Sequence, residues 1–161
     1  MFDAQTVELA TAVLAACRAK GWHIATAESC TGGLVAAALT AIAGSSDVVD
    51  RGFVTYSNEA KMELLGVPAG TLASVGAVSD ETARLMAMGA VSRADVDLAV
   101  SVTGIAGPGG GSAEKPVGLV YLGVATKDSV RGERHVFPGE RDGIRRAAMT
   151  RALEMLKEAA G

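Results

Sequence analysis

Three short polar segments carry the side chains that could do covalent chemistry: ESCTGG at 28–33, YSNEAK at 56–61 and TGIAGPGGG at 103–111. The first holds two nucleophiles side by side, Ser29 and Cys30. It follows the apolar run HIATAE and precedes the Ala-rich LVAAALTAIAG, so Ser29 falls where a strand turns sharply into a helix. There a hydroxyl can face a cleft while the N–H groups that follow hold an oxyanion. The same spacing suits Ser29 or Thr31 equally well as a plain helix N-cap. Cys30 is the rival nucleophile, since a helix N-terminus lowers a thiol pKa. Alternation along the chain turns it away from Ser29, however, and a small cysteine is more often buried filler.

A nucleophilic serine needs a base, and neither histidine suits. His23 begins the strand that ends at Ser29, which at ~3.3 Å per residue separates them by roughly 20 Å. His135 belongs to a late strand with charged neighbours. Lys61 remains. It sits in the first turn of a helix starting near Asn58, where the dipole disfavours an ammonium and burial pushes the pKa further down, so that a neutral amine could take the serine proton. The competing reading of any single lysine is a solvated surface charge. The third segment lacks both the GKS/GKT ending of a P-loop and the GxGxxG spacing of a dinucleotide site. Thr103, Gly104 and Gly107 could bring donors to a ligand, or could form a turn that needs positive φ. Arg145 and Arg146, early in the last helix, are candidates for a phosphate partner against the alternative of an ordinary solvated face.

The elements that must position these groups follow from periodicity and punctuation. Asp3 caps and Gly21 closes an opening helix whose Leu9, Val13 and Cys17 share a face. Strands are expected over 23–28, 51–56 and 97–102, the last nearly continuous in apolar residues, as in a central strand covered on both sides. Helices are expected from Leu34 to near Gly44, over 58–65, from Ser79 through Arg93, and from Arg141 to Ala159; 70–78 reads as loop. A hairpin of strands 117–126 and 130–137 precedes the last helix. The order is α-β-α-β-α-α-β, two antiparallel strands and a closing helix, which makes an α/β fold with a five-stranded mixed sheet between helical layers. The three polar segments follow strand ends, the edge at which open α/β sheets bind ligands.

Bulk properties narrow the function. The 161 residues suit one domain, burying roughly 70% of the surface of the unfolded chain. With 49% hydrophobic but only 4% aromatic residues and 20 glycines, the core must be built from Ala, Val and Leu packed closely. A net charge of −3 argues against a nucleic-acid surface, so an anionic ligand must be met by local donors. Cys17 and Cys30 show no metal-ligand spacing and no disulfide framework. Asp3 and Glu8 interrupt any signal peptide, and no apolar run approaches the ~20 residues of a membrane span, so a cytoplasmic protein with no membrane partner is expected.

Taken together, TAESCTGGLVAAALT, GFVTYSNEAKMELLGV and AVSVTGIAGPGGGSAEKPVGLVYLG, followed by the closing helix, resemble the CinA C-terminal domain family over nearly the whole chain. These are nicotinamide-nucleotide amidases that convert nicotinamide mononucleotide to nicotinate mononucleotide and ammonia. The resemblance implies a three-layer α/β/α sandwich, a homodimer, no metal or organic cofactor, and a Ser/Lys hydrolase whose pair falls on Ser29 and Lys61. Tyr56 and Thr103 match family positions and are expected to orient groups or relay a proton. Cys30, Thr31, Gly32, Gly33, Gly104, Gly107 and Arg145 are the expected substrate-binding positions. The chain starts at the opening helix and so resembles the stand-alone form of the domain. The mechanism expected is attack by Ser29 on the carboxamide, with N–H groups at the start of the following helix holding the oxyanion.

Overall fold

The computed structural model describes residues 1–161. Helix α1 (Ala4–Lys20) begins where the Asp3 carboxylate accepts the Thr6 N–H and ends at Gly21 in the left-handed conformation. Then come β1 (Ile24–Glu28), α2 (Leu34–Thr40), a 3₁₀ turn at Ser45–Asp47, β2 (Val49–Val54) and α3 (Asn58–Leu65). A short helix, α4 (Ala69–Ser74), leads to α5 (Asp80–Ala94), β3 (Leu98–Gly104), β4 (Leu119–Thr126), β5 (Val130–Val136) and α6 (Arg141–Ala160). The helix α4 lies within the segment expected to be loop. It follows Pro68, whose extended conformation suits the residue before a helix. The Ala-rich helix is shorter than expected, and β2 begins and ends two residues earlier than the apolar pattern suggested.

The sheet order is β2-β1-β3-β4-β5, with β2, β1 and β3 parallel and β4 and β5 added antiparallel. Strand alternation divides the core in two. Large side chains on one face, among them Ile24, Val100, Val102 and Leu122, pack on α1, α2 and α6 through Leu14, Leu39, Ile144 and Leu153. Small ones on the other, Ala25, Ala27, Ala99 and Ala125, receive Leu65 of α3 and Met86, Ala87 and Ala90 of α5. Removing Leu14 or Leu153 to alanine would cost about 2–5 kcal/mol, the range for a fully buried leucine.

The small-residue face lets its helices come close. A Cβ on Gly123 of β4 would lie 2.5 Å from the Ala83 carbonyl of α5, and one on Gly89 of α5 would lie 2.1 Å from the Leu65 carbonyl of α3. Both contacts are too short for any side chain. The glycines therefore set how near α5 lies to the sheet and how near α3 lies to α5, which fixes the helix that carries Lys61.

Candidate active site

The sheet ladder runs up to the nucleophile. Glu28 pairs with Val54 of β2 and Val102 of β3, the Thr55 N–H donates to the Glu28 carbonyl at 2.8 Å, and the Ser29 N–H donates to the Val102 carbonyl at 2.9 Å. Beyond Ser29 the chain turns through Gly32 and Gly33, both at positive φ (60° and 102°), before α2 starts. Ser29 and Cys30 are buried to within a few per cent, and Thr31 is fully buried with no protein partner for its hydroxyl.

Lys61 enters from the other side. The Ser57 hydroxyl caps α3 by accepting the Ala60 N–H, and Lys61 occupies the first turn with only 1% of its surface exposed. Its Nζ lies 3.0 Å from Ser29 Oγ, donates to the Thr55 carbonyl at 2.8 Å and reaches the Tyr56 carbonyl at 3.3 Å. Both carbonyls lie just past the end of β2, free of the ladder. Burial pushes the lysine down from 10.5 to about 8. A neutral amine has two N–H groups and one lone pair; the two carbonyls take the N–H groups, which leaves the lone pair for the serine proton. Burial also pushes the Cys30 thiol up to about 11, so the neighbouring sulfur is a protonated, poor nucleophile near neutral pH.

A cavity of about 220 Å³ opens on this pair, lined by Ser29, Cys30, Tyr56, Lys61, Thr103 and Gly104 from the expected positions and by Asn58, Ala77, Val78, Ala106 and Arg141. Thr103 Oγ1 donates to the Ala77 carbonyl at 2.8 Å and so ties the 75–79 segment to the end of β3. The Tyr56 hydroxyl accepts from Arg141 Nη2 at 3.2 Å, while Arg141 Nη1 donates to the Gly107 carbonyl at 2.7 Å. Thr31, Gly32, Gly33, Gly107 and Arg145 do not line the cavity. Arg145 instead donates from Nε to the Cys30 carbonyl and from Nη2 to the Thr31 carbonyl, each at 3.1 Å, and so pins the turn from behind. With Arg146 it lines a separate cavity of about 310 Å³ between the starts of α1 and α6, which holds no nucleophile and base in contact. His23 and His135 lie outside the site; His135 pairs with Glu133 at 2.8 Å.

Two features are absent from the sequence reading. Arg141, the guanidinium of the cavity, stands eighty residues from Lys61 in the chain and has no local mark to set it apart from Arg145. Glu28 is fully buried, and its carboxyl accepts the N–H groups of Val35 at 2.9 Å and Ala36 at 3.1 Å. These are the N–H groups at the start of α2 that were expected to serve an oxyanion, and they are taken. The N–H groups of Cys30, Thr31 and Gly33, in the turn itself, donate to no protein acceptor, and of these three residues Cys30 lines the cavity.

Comparison with known proteins identifies the family. Residues 6–160 match the CinA C-terminal domain. The chain belongs to that family. It is 51% identical over 160 residues to the nicotinamide-nucleotide amidohydrolase PncC of Escherichia coli strain K12, covering 97% of this chain and 95% of that protein. It is 53% identical over 155 residues to the protein of the same name from Enterobacter agglomerans, covering 96% and 94%. A competence-damage inducible protein of Caldicellulosiruptor bescii is 55% identical over 139 residues, which span 86% of this chain but 34% of that longer protein. The crystal structure of the competence/damage inducible protein CihA from Agrobacterium tumefaciens superimposes with a TM-score of 0.96 at 52% identity, covering 99% of this chain and 98% of that one.

Proposed function

We propose that the protein hydrolyses the carboxamide of nicotinamide mononucleotide to nicotinate mononucleotide and ammonia. The observation that carries the reading is Lys61 Nζ, buried and held by two carbonyls, at 3.0 Å from Ser29 Oγ. The substrate is supported by the full-length likeness to the nicotinamide-nucleotide amidohydrolases.

Neutral Lys61 accepts the proton of Ser29 as its oxygen attacks the carboxamide carbon. The turn N–H of Cys30, a residue that lines the cavity, is the donor available to the tetrahedral oxyanion. Lys61 hands its proton to the departing nitrogen and ammonia leaves. The same amine then takes a proton from water as the water attacks the ester, and returns it to the departing Ser29 Oγ, which frees the acid and restores both residues. The substrate's pyridinium charge makes its carbonyl more electrophilic, and the scheme calls on no metal or organic cofactor. In this scheme the reacting ring enters the Ser29 cavity and the phosphate lies at Arg141, which with Ala106 also lines an adjoining cleft of about 630 Å³ whose other walls include Glu140 and Asp142. Arg141 is thus the phosphate partner of this reading. Arg145, Thr31, Gly32, Gly33 and Gly107 shape the turn and loop around the substrate, with Thr103 and Tyr56 orienting the walls.

The decisive assay is ammonia release from nicotinamide mononucleotide, with nicotinamide and its riboside as controls. Binding without ammonia release would instead make the protein a nucleotide sensor. The likeness to the nicotinamide-nucleotide amidohydrolases is what supports a small-molecule partner and a cytoplasmic reaction; separately, no helix is long and apolar enough to cross a membrane. A homodimer accords with the family resemblance and with exposed Val54 at the end of the outer strand β2; a monomeric mass by light scattering at micromolar concentration would exclude it.

A further inference from the structure

Three helices of this chain begin with an ordinary cap, in which Asp3, Ser57 or Ser79 accepts an N–H three residues ahead. Helix α2 does not. Its N-cap is Gly33 at φ 102°, with no side chain to offer. The second and third N–H groups of α2, where a cap side chain would bond, go to Glu28 Oε1 and Oε2. The acceptor lies seven and eight residues back, on the far side of the nucleophile. Thr26 Oγ1 completes the carboxyl's surroundings at 3.4 Å from Oε2.

Glu28 is therefore held at both ends. Its backbone is locked between β2 and β3, and its side chain is locked to the first turn of α2. The residues from Ser29 to Leu34 form a loop closed by the carboxyl, and Ser29 is the first residue of that loop. Arg145 fixes the loop's Cys30 and Thr31 carbonyls from outside, and Val35 packs in the core, but the Glu28 carboxyl supplies the only hydrogen bonds that join the first turn of α2 to the sheet beside Ser29. Glu28 does not line the cavity, and burial rather than the Glu28 charge sets the Lys61 pKa.

We infer that Glu28 is a positioning residue for the hydrolysis, holding the Ser29 turn at the distance from Lys61 at which proton transfer works. The inference rests on Ser29 being the nucleophile. An exchange of carboxyl for amide keeps one acceptor and turns an NH₂ group toward the other helix N–H, which loosens the loop end without opening a large void.

The test uses the purified full chain and nicotinamide mononucleotide, comparing wild type, Glu28→Gln, Glu28→Asp and Ser29→Ala. The readouts are kcat, KM, the pH dependence of kcat/KM, and the rate at which a serine-directed fluorophosphonate labels the protein. For Glu28→Gln, kcat and the labelling rate should fall together by as much as ~10²-fold, the loss typical of a misplacement near 1 Å. KM and the apparent pKa should stay at wild-type values, because Glu28 touches neither substrate nor Lys61. Glu28→Asp, one methylene short of both N–H groups, should behave alike. Wild-type kcat in folded Glu28→Gln with Ser29→Ala inactive would overturn the inference and leave the mechanism standing. An active or fluorophosphonate-labelled Ser29→Ala would overturn the mechanism itself. Variants too unstable at 25 °C are assayed at 10 °C, and failure of both to fold at either temperature would assign Glu28 to stability alone and also overturn the inference.

Discussion

Lys61→Met tests the base through two independent quantities. Lowering the lysine from 10.5 to about 8 raises its neutral fraction at pH 7 from about 0.03% to about 9%, roughly a 300-fold gain in working base. Wild-type kcat/KM should accordingly rise about tenfold per pH unit below the apparent pKa and level off near pH 8. Lys61→Met should lose 10²–10⁴-fold in kcat/KM, the usual contribution of a general base. Lys61→Arg should be no better, since guanidinium keeps its proton. The same pKa shift is a statement about stability. Between about pH 8 and 10.5 the unfolded lysine holds a proton that the folded one has lost, so folding stability rises with pH across that window. Below it, the wild type bears a burial cost of about 3 kcal/mol, from 1.36 kcal/mol per pKa unit. Methionine has no such cost, although it leaves the Thr55 and Tyr56 carbonyls short of a donor. The stability of Lys61→Met relative to wild type should therefore fall by about 3 kcal/mol from pH 7 to pH 10.5, as read by urea unfolding at each pH. A pH-independent difference, or near-normal activity in folded Lys61→Arg, would rule out a buried, neutral Lys61 as the base.

Arg141→Ala should raise KM for nicotinamide mononucleotide and narrow its advantage over the riboside, while Arg145→Ala should act mainly on kcat through the turn it pins; equal kcat/KM for mononucleotide and riboside in the wild type would remove the phosphate partner from the scheme. Glu133, whose carboxyl Arg151 first and then His135 and Arg131 hold far below the usual carboxylate range, should contribute stability above about pH 4.5 that is lost as acid protonates it. The stability gap between wild type and Glu133→Gln in urea titrations should narrow progressively as the pH falls below that value, and a gap at pH 3 as wide as at pH 7 would contradict it.

Where the signals were local, the sequence was readable. Asp3 and Gly21 bound α1, and the helix expected over 58–65 put Lys61 in a first turn. Such signals span three or four residues and need no knowledge of the rest of the chain. The misses share the opposite character. Helix α4 has six residues, a glycine and no capping side chain, so only its setting between Pro68 and α5 makes it a helix. Strand β2 stops at Val54 although the apolar pattern continues to Tyr56. Releasing the Thr55 and Tyr56 carbonyls to the lysine is a tertiary event that alternation cannot foretell. Glu28 reads as the polar end of a strand until the bare glycine cap of α2 shows what its carboxyl must supply. Arg141 and Arg145 sit one helical turn apart, and only the path of the 28–33 turn decides which faces the cavity and which supports the turn.

The nucleophile and the base hang from adjacent strands, β1 and β2, and are joined by the bond from the Thr55 N–H to the Glu28 carbonyl. Strand β2 is the outer one, with a partner on one side only. A slip of one residue in that pairing would carry the base about 3.3 Å along the sheet and turn the β2 side chains to the opposite face. Turnover is thus a gauge of alignment. A preparation with native helix content but an outer strand paired one place off would look folded by circular dichroism and be silent in the ammonia assay, so specific activity measures the fraction of molecules in which the last parallel strand has found its place.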